Sequence, residues 1–380
     1  MASTARPTPV ALPEPDAAGC GSAPASPPSS VLSDCDALPP AFDAICNHGR
    51  ARNWGNLHTR VYRRLTSPVL KPILKLAMAD EVPTNYSMLL MRCANKAFGV
   101  PNHNDDWVAP LFLKQLMPAE FKEIEGAATL YARFRRALFE LPGLGVPGMI
   151  AFLDARTQWF DDRVAAAMDA GAKQVVVLAA GFDSTAYRFP RAGVKFFELD
   201  LPHASARKRE LIDTALPDAA AHPRPAYIAA DLAAVPLADA LAGSGFDPAL
   251  PTFWLVQGLT YYLPPAAFGS MLASIRALSP PGSRLAFDFL RLDALSGAAL
   301  LQGLEVMALS VASRGEPFLS AVDAAPGAVS DLASMFGFRL AQRLGARGLA
   351  ARFRPDLAWH EWGPAPVQPC FSFAEFAVDE

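Results

Sequence analysis

The stretch from Lys173 to Pro202, KQVVVLAAGFDSTAYRFPRAGVKFFELDLP, constrains the fold more than any other part of the chain. A β-rich apolar run, Gln174 to Ala180, meets a glycine turn at Ala180-Gly181-Phe182-Asp183. An amphipathic stretch follows, and then a second apolar run, Val194 to Leu199, that closes on Glu198 and Asp200. This spells strand, tight turn, helix and strand with a carboxylate at its end, the opening half of a nucleotide-binding α/β sheet. The first strand's exit needs a residue without Cβ so that backbone can approach a ligand closely. An acid at the tip of the next strand can accept both hydroxyls of a ribose. Neither G-x-G-x-x-G nor G-K-[ST] follows, so there is no diphosphate cradle of the dinucleotide or Walker kind. A ribose carboxylate without that cradle suggests an adenosine ligand carrying no phosphate, of which S-adenosylmethionine is the common one. An ordinary buried βαβ unit with a solvated acidic end is the other reading of the same residues.

Further strands follow at α/β spacing. Ala226 to Ala230 ends on Asp231-Leu232, Pro251 to Val256 ends on Gln257-Gly258, and Arg284 to Leu290 follows the Pro281-Gly282 turn. Phe338 to Leu344 and Cys370 to Val378 complete seven strands. Helices are expected over His203–Leu216, Pro265–Leu278, Asp293–Ser313 and Gly327–Met335. This alternation predicts a largely parallel sheet with helices on both faces. Ligands of such sheets sit at the carboxyl ends of the strands, at the topological switch. Four successive strand ends here are polar or glycine, each after an apolar run.

Upstream of Gln174 everything reads as helical. Thr84 to Phe98 has apolar residues at helical spacing behind an N-cap at Thr84 or Asn85. Asn102 to Asp106 is turn-like, Trp107 to Met117 is helical, and Glu120 to Leu141 reads as one long amphipathic helix. Met149 to Ala170 leads straight into the first strand. Arg50, Arg52, Trp54, Arg60, Tyr62 and Arg63 form a basic, aromatic cluster that suits a solvated helix face or a substrate-facing arm. The first 40 residues hold nine of the 35 prolines. They cannot bury enough apolar surface to order themselves and read as a disordered tail. Three regions result: a tail over 1–40, a helical cap over 41–148 and the α/β domain over 149–380.

A net charge of −3 gives no reason to expect nucleic acid or an anionic membrane as partner. Five scattered cysteines without C-x-x-C spacing argue for reduced thiols, a cytoplasmic setting and no zinc site. No apolar run reaches the length of about 18 residues needed to span a bilayer.

Taken together, VVVLAAGFDSTAYRF, VKFFELDLP, AADL, WLVQGLTYYLP and PGSRLAFDF resemble the leucine carboxyl methyltransferase-like family, a branch of the class I S-adenosylmethionine-dependent methyltransferases. The resemblance is good over Met149 to Leu290 and weaker on either side. It implies a Rossmann-like seven-stranded sheet, mostly parallel with the last strand antiparallel, under a helical N-terminal cap. It further implies that Arg156 pairs with the methionine carboxylate and that Ala179 and Gly181 line the turn below the cofactor. Asp200 would bind the ribose with Glu198 structural beside it. Asp231 and Leu232 would hold the adenine, and Gln257 would lie near the methionine amino group.

Two positions depart from the family pattern. Its glycine-alanine-glycine turn is Ala179-Ala180-Gly181 here, which is accommodated if φ at Ala179 is negative. Its usual glutamate is Gln257, which replaces a charge-assisted bond by a neutral one and weakens cofactor affinity by about tenfold. The implied activity is methylation of a carboxylate or hydroxyl oxygen, on a small molecule or a protein C-terminus. A fold that has lost turnover and acts as a binding scaffold is the alternative. A nicotinamide oxidoreductase is disfavoured by the missing phosphate cradle. No general base stands out; His203, Tyr261 and Tyr262 are the residues near strand ends.

Overall fold

A computed structural model describes residues 41–46, 83–125, 129–142, 145–295, 303–359 and 365–379. The tail over 1–40 and the Arg/aromatic cluster between Arg50 and Arg63 lie outside the described residues.

Seven strands form one sheet: β1 Gln174–Leu178, β2 Lys195–Asp200, β3 Ala226–Ala229, β4 Thr252–Val256, β5 Arg284–Leu290, β6 Arg339–Gly345 and β7 Phe371–Ala377. Their order is β3-β2-β1-β4-β5-β7-β6. The first five are parallel, and β7 runs antiparallel to both β5 and β6. This is the predicted mixed sheet with an antiparallel last strand. β1 is flanked by β2 on one side and β4 on the other, so the switch in strand order falls at β1.

Strand parity divides the core. Val175, Val177, Phe253, Leu255, Ala286 and Leu290 point into one apolar layer, covered by the long helix Met149–Asp169. Val176, Leu178, Trp254, Val256, Leu285 and Phe287 point into the other, against helices Pro265–Ala277 and Pro326–Met335. Every residue of β1 and β4 is buried, as expected of central parallel strands covered on both faces.

Upstream of the sheet, helices Thr84–Ala97, Ala109–Leu116, Pro118–Glu125 and Leu130–Phe139 build the cap. The expected single helix over Glu120–Leu141 is two elements. Thr129 starts the second, its hydroxyl accepting the Ala132 N–H at 3.2 Å; a hydroxyl cap satisfies an orphan N–H only where a helix begins. The expected cap at Thr84 or Asn85 is also corrected. Pro83 occupies that position without a side-chain bond, and Thr84 and Asn85 are already helical. Within Asp293–Ser313 the described helix is Leu304–Ser313, preceded by a short 3-10 turn over Asp293–Leu295. Helices Leu237–Leu241 and Ala346–Phe353 were not expected from the sequence. No described helix is long and apolar enough to cross a membrane.

Glu198 lies in β2 and faces helix Pro202–Ala215, where Lys208 Nζ is 2.8 Å from its Oε2 with both side chains 3% exposed. The Tyr187 hydroxyl meets that of Tyr227 at 2.8 Å, and Lys208 Nζ lies 5.8 Å from the Tyr187 ring centre. Burial pushes the Glu198 carboxyl up from 4.5 to about 7, outweighing the opposing pull of Lys208. The folded state therefore holds this proton more tightly than the unfolded chain. The contribution to stability is fully present below pH 4.5 and is lost as pH rises through about 7. Denaturant unfolding across that window should show wild-type stability falling with pH more steeply than that of Glu198→Gln. A wild type that gains stability relative to the variant as pH rises would contradict this.

Candidate functional site

The carboxyl ends of the parallel strands are laced together in order. At the exit of β1 the Ala180 N–H donates to Leu199 O at 3.1 Å, and the Ala230 N–H after β3 donates to Asp200 O at 2.9 Å. The Asp200 carboxylate at the tip of β2 reaches back to the turn. Its Oδ2 accepts the Gly181 N–H at 2.5 Å and its Oδ1 accepts the Leu201 N–H at 2.7 Å. Each oxygen keeps a lone pair for a further donor. A Cβ added at Gly181 would meet nothing nearer than Ala179 O at 3.9 Å, so its space is open; its φ of +42° is what favours glycine.

Ala179 is exposed at the head of the turn, with φ +50°. The negative φ at which a methyl would be accommodated without strain is not what the chain adopts. The chain leaves β1 through the left-handed region at both Ala179 and Gly181. For a residue with a Cβ that conformation costs about 1–2 kcal/mol.

Asp231 and Leu232 follow β3 and are both exposed, with Asp231 Oδ1 accepting the Ala233 N–H at 2.9 Å. Gln257 and Gly258 leave β4, beside the exit of β1, because Leu178 and Val256 are register partners. Arg156 comes from the Met149–Asp169 helix and ends against Gly258. A Cβ at Gly258, where φ is +73°, would lie 3.3 Å from Arg156 Nη1 and 3.5 Å from Tyr261 Oη. The seven expected residues therefore gather at one edge of the sheet in two groups. Ala179, Gly181, Asp200, Asp231 and Leu232 stand beyond β1 to β3, and Arg156 and Gln257 beyond β4.

Two carboxylates of this region were not singled out from the sequence. Asp288, fully buried in β5, accepts from Arg156 Nη1 at 3.2 Å and from the Gly258 N–H at 2.6 Å. Burial pushes its carboxyl up, against Arg156 and the Gly258 amide, which pull it down. Burial also acts to discharge Arg156, but Asp288 and the Tyr261 hydroxyl outweigh it and keep the guanidinium charged. The signal in the sequence was a lone acid inside the apolar run LAFDF.

Asp106 is the second. Its buried carboxylate accepts the amides of Val108 and Ala109 and the Ser184 hydroxyl, and lies 3.3 Å from Arg92 Nε and 3.5 Å from Arg188 Nε. Burial alone would raise its pKa, yet Arg92, Arg188 and these bonds hold it below the ordinary range. Arg188 also forks onto Asp161 at 2.6 and 2.7 Å, and Arg92 donates to Phe182 O at 2.7 Å. The cap is thereby fastened to the Gly181–Asp183 turn. Asp183 caps the next turn through the Thr185 N–H at 2.9 Å, and Pro190 ends that helix after Thr185–Arg188.

His203 is exposed in the first turn of helix Pro202–Ala215. Tyr261 is 5% exposed, packed edge-on against Tyr262 and Phe318 and tilted against Phe371, with its hydroxyl on Arg156.

Residues 100–276 match the family model described as Leucine carboxyl methyltransferase. Over those residues the chain is similar to the leucine carboxyl methyltransferase family. A protein of Mycobacterium avium (strain 104), provisionally named an S-adenosyl-L-methionine-dependent methyltransferase, is 37% identical over 183 residues, covering 45% of this chain and 59% of that protein. A Parafrankia sp. (strain EAN1pec) protein of the same provisional name is 37% identical over 191 residues, 48% of this chain and 55% of that one. A third, from Mycobacterium sp. (strain KMS), is 44% identical over 140 residues, 37% of this chain and 46% of that protein. The chain thus spans about half the length of these relatives. The family match includes Arg156, the β1–β2 turn and Gln257, and ends before Asp288.

Two substitutions test this geometry. Ala179→Gly should raise stability by about 0.5–1 kcal/mol by relieving the left-handed backbone, read as a higher denaturant midpoint at constant slope. Asp106→Asn should lose about 3 kcal/mol or more, because two buried arginines lose their shared anion. A loss below about 1 kcal/mol, the range of an exposed pair, would contradict the burial argument.

Proposed function

We propose that the crevice at the carboxyl edge of the sheet binds S-adenosylmethionine and that the protein transfers its methyl group to an oxygen of a carboxylate or hydroxyl. The observation that carries this reading is the Asp200 carboxylate, drawn onto the Gly181 amide beside an exposed, open turn. The Asp200 oxygens keep acceptor capacity for ribose hydroxyls. The similarity of residues 100–276 to the leucine carboxyl methyltransferase family supports the reading independently.

The residues present fit such a cofactor. In this reading Asp200 accepts from the ribose hydroxyls, and Ala179 and Gly181 line the turn beneath. Asp231 and the amide of Leu232 meet the adenine edge, with Asp231 already oriented by the Ala233 amide. Arg156 faces the methionine carboxylate, and the Gln257 amide oxygen accepts from the ammonium. When bound, the cofactor supplies a methyl group already activated by a sulfonium charge. The chain's part is then to hold the acceptor oxygen in line and to exclude water. A carboxylate acceptor needs no base, and a hydroxyl needs one within about 3 Å. Of the candidates near the strand ends, His203 is exposed directly after β2 and Tyr261 is buried. The acceptor would sit on a small molecule or a protein C-terminus. The region over 149–380 would be the catalytic domain and 41–148 its cap.

Calorimetric titration with S-adenosylmethionine, with NAD as control, tests this directly. Micromolar binding of the first alone is expected. Asp200→Ala should abolish it while leaving the circular dichroism spectrum unchanged. Binding of NAD, or an Asp200→Ala variant that binds as the wild type does, would overturn the reading.

A further inference from the structure

Resting on that reading, we propose that Asp288 is the positioning residue for the amino-acid end of the cofactor, fixing Arg156 and the Gln257-Gly258 turn with the two oxygens of one carboxylate.

Asp288 shares its face of β5 with Ala286 and Leu290, the face covered by the Met149–Asp169 helix. An acid at this position is driven into an apolar layer, where it is costly unless its oxygens are both engaged. Both are: Oδ2 by Arg156 Nη1 at 3.2 Å, and Oδ1 by the Gly258 N–H at 2.6 Å. The Asp288 carbonyl in turn accepts the Thr260 hydroxyl at 2.6 Å, so the segment after β4 is held at two points to the same residue. Arg156 and Gly258 touch each other across this carboxylate, close enough that a Cβ at 258 would crowd the guanidinium at 3.3 Å.

The consequence concerns charge. The amino-acid end of S-adenosylmethionine carries a carboxylate and an ammonium. The side chain set nearest its ammonium in the proposed pose, Gln257, is neutral. The carboxylate of this corner sits one layer deeper, at Asp288, where it pairs with Arg156 and sets the turn that carries Gln257. It acts through Arg156 and the turn and is itself fully buried, so it never touches the ligand. The Arg156 side chain keeps 10% exposure, which is the part left for an anion.

Two ligands isolate this corner. S-adenosylhomocysteine and 5′-methylthioadenosine share the nucleoside and a neutral thioether, and only the first has the amino-acid carboxylate and ammonium. Titration of the full chain and of its Asp288→Asn variant with both should show affinity for S-adenosylhomocysteine falling by about tenfold or more, the scale of a lost charge-assisted bond. Affinity for 5′-methylthioadenosine should stay within twofold, which also reports that the variant is folded. Equal losses for both ligands, or no loss for either, would overturn the proposal. A second variant guards against a misfolded first one. If Asp288 acts through Arg156, the double variant Arg156→Met/Asp288→Asn binds S-adenosylhomocysteine no worse than Arg156→Met alone, whereas additive losses would contradict it. A wild type that binds 5′-methylthioadenosine but not S-adenosylhomocysteine would remove the Asp288 proposal and leave the nucleoside crevice. A wild type that binds neither would remove the reading beneath it.

Discussion

The carboxylate of Asp106 is the junction on which the described architecture depends. It is buried where the cap meets the sheet, and it is shared by Arg92 of the cap and Arg188 after the β1 turn. An ion in that position is tolerated only with every lone pair engaged, and two amides and a serine hydroxyl complete the set. The turn from Gly181 to Asp183 is thus fixed from above by the cap and from below by β1. Its amide can then point at Asp200. Such a cluster contributes geometry more than net stability, since its desolvation cost offsets much of the pairing.

The edge of the sheet divides into two electrostatic zones. Beyond β1 to β3 the groups are exposed or half-buried, and the acids are oriented by backbone amides. Beyond β4 and β5 the charges are buried and paired, with Arg156 and Asp288 neutralising each other. In the proposed reading this suits a ligand with an uncharged nucleoside at one end and a zwitterion at the other. A backbone-oriented carboxylate discriminates hydroxyl donors by geometry, while a buried, pre-aimed guanidinium recognises an anion with little reorganisation.

Much of this was legible in the sequence, for a definite reason. Central parallel strands are covered on both faces, so they read as continuous apolar runs with abrupt ends; β5 begins and ends at the expected Arg284 and Leu290. What was not legible depends on partners distant in sequence. Asp288 looked like a lone acid in a strand, and only the crossing of the Met149–Asp169 helix gives it Arg156. Asp106 looked like part of a polar turn, and its arginines lie 14 positions before it and 82 after it. The positive φ at Ala179 is a conformation that alanine does not announce. The split between Pro118–Glu125 and Leu130–Phe139 hinged on one hydroxyl cap at Thr129, in a stretch whose apolar spacing runs on regardless.

The most direct test of the central claim is an experimental structure of the full chain crystallised with S-adenosylhomocysteine. The account predicts the ribose hydroxyls within hydrogen-bond reach of Asp200, the adenine edge at Asp231-Leu232 and the amino-acid carboxylate on Arg156. A ligand bound elsewhere, or in this crevice with its amino-acid end away from Arg156 and Gln257, would contradict it.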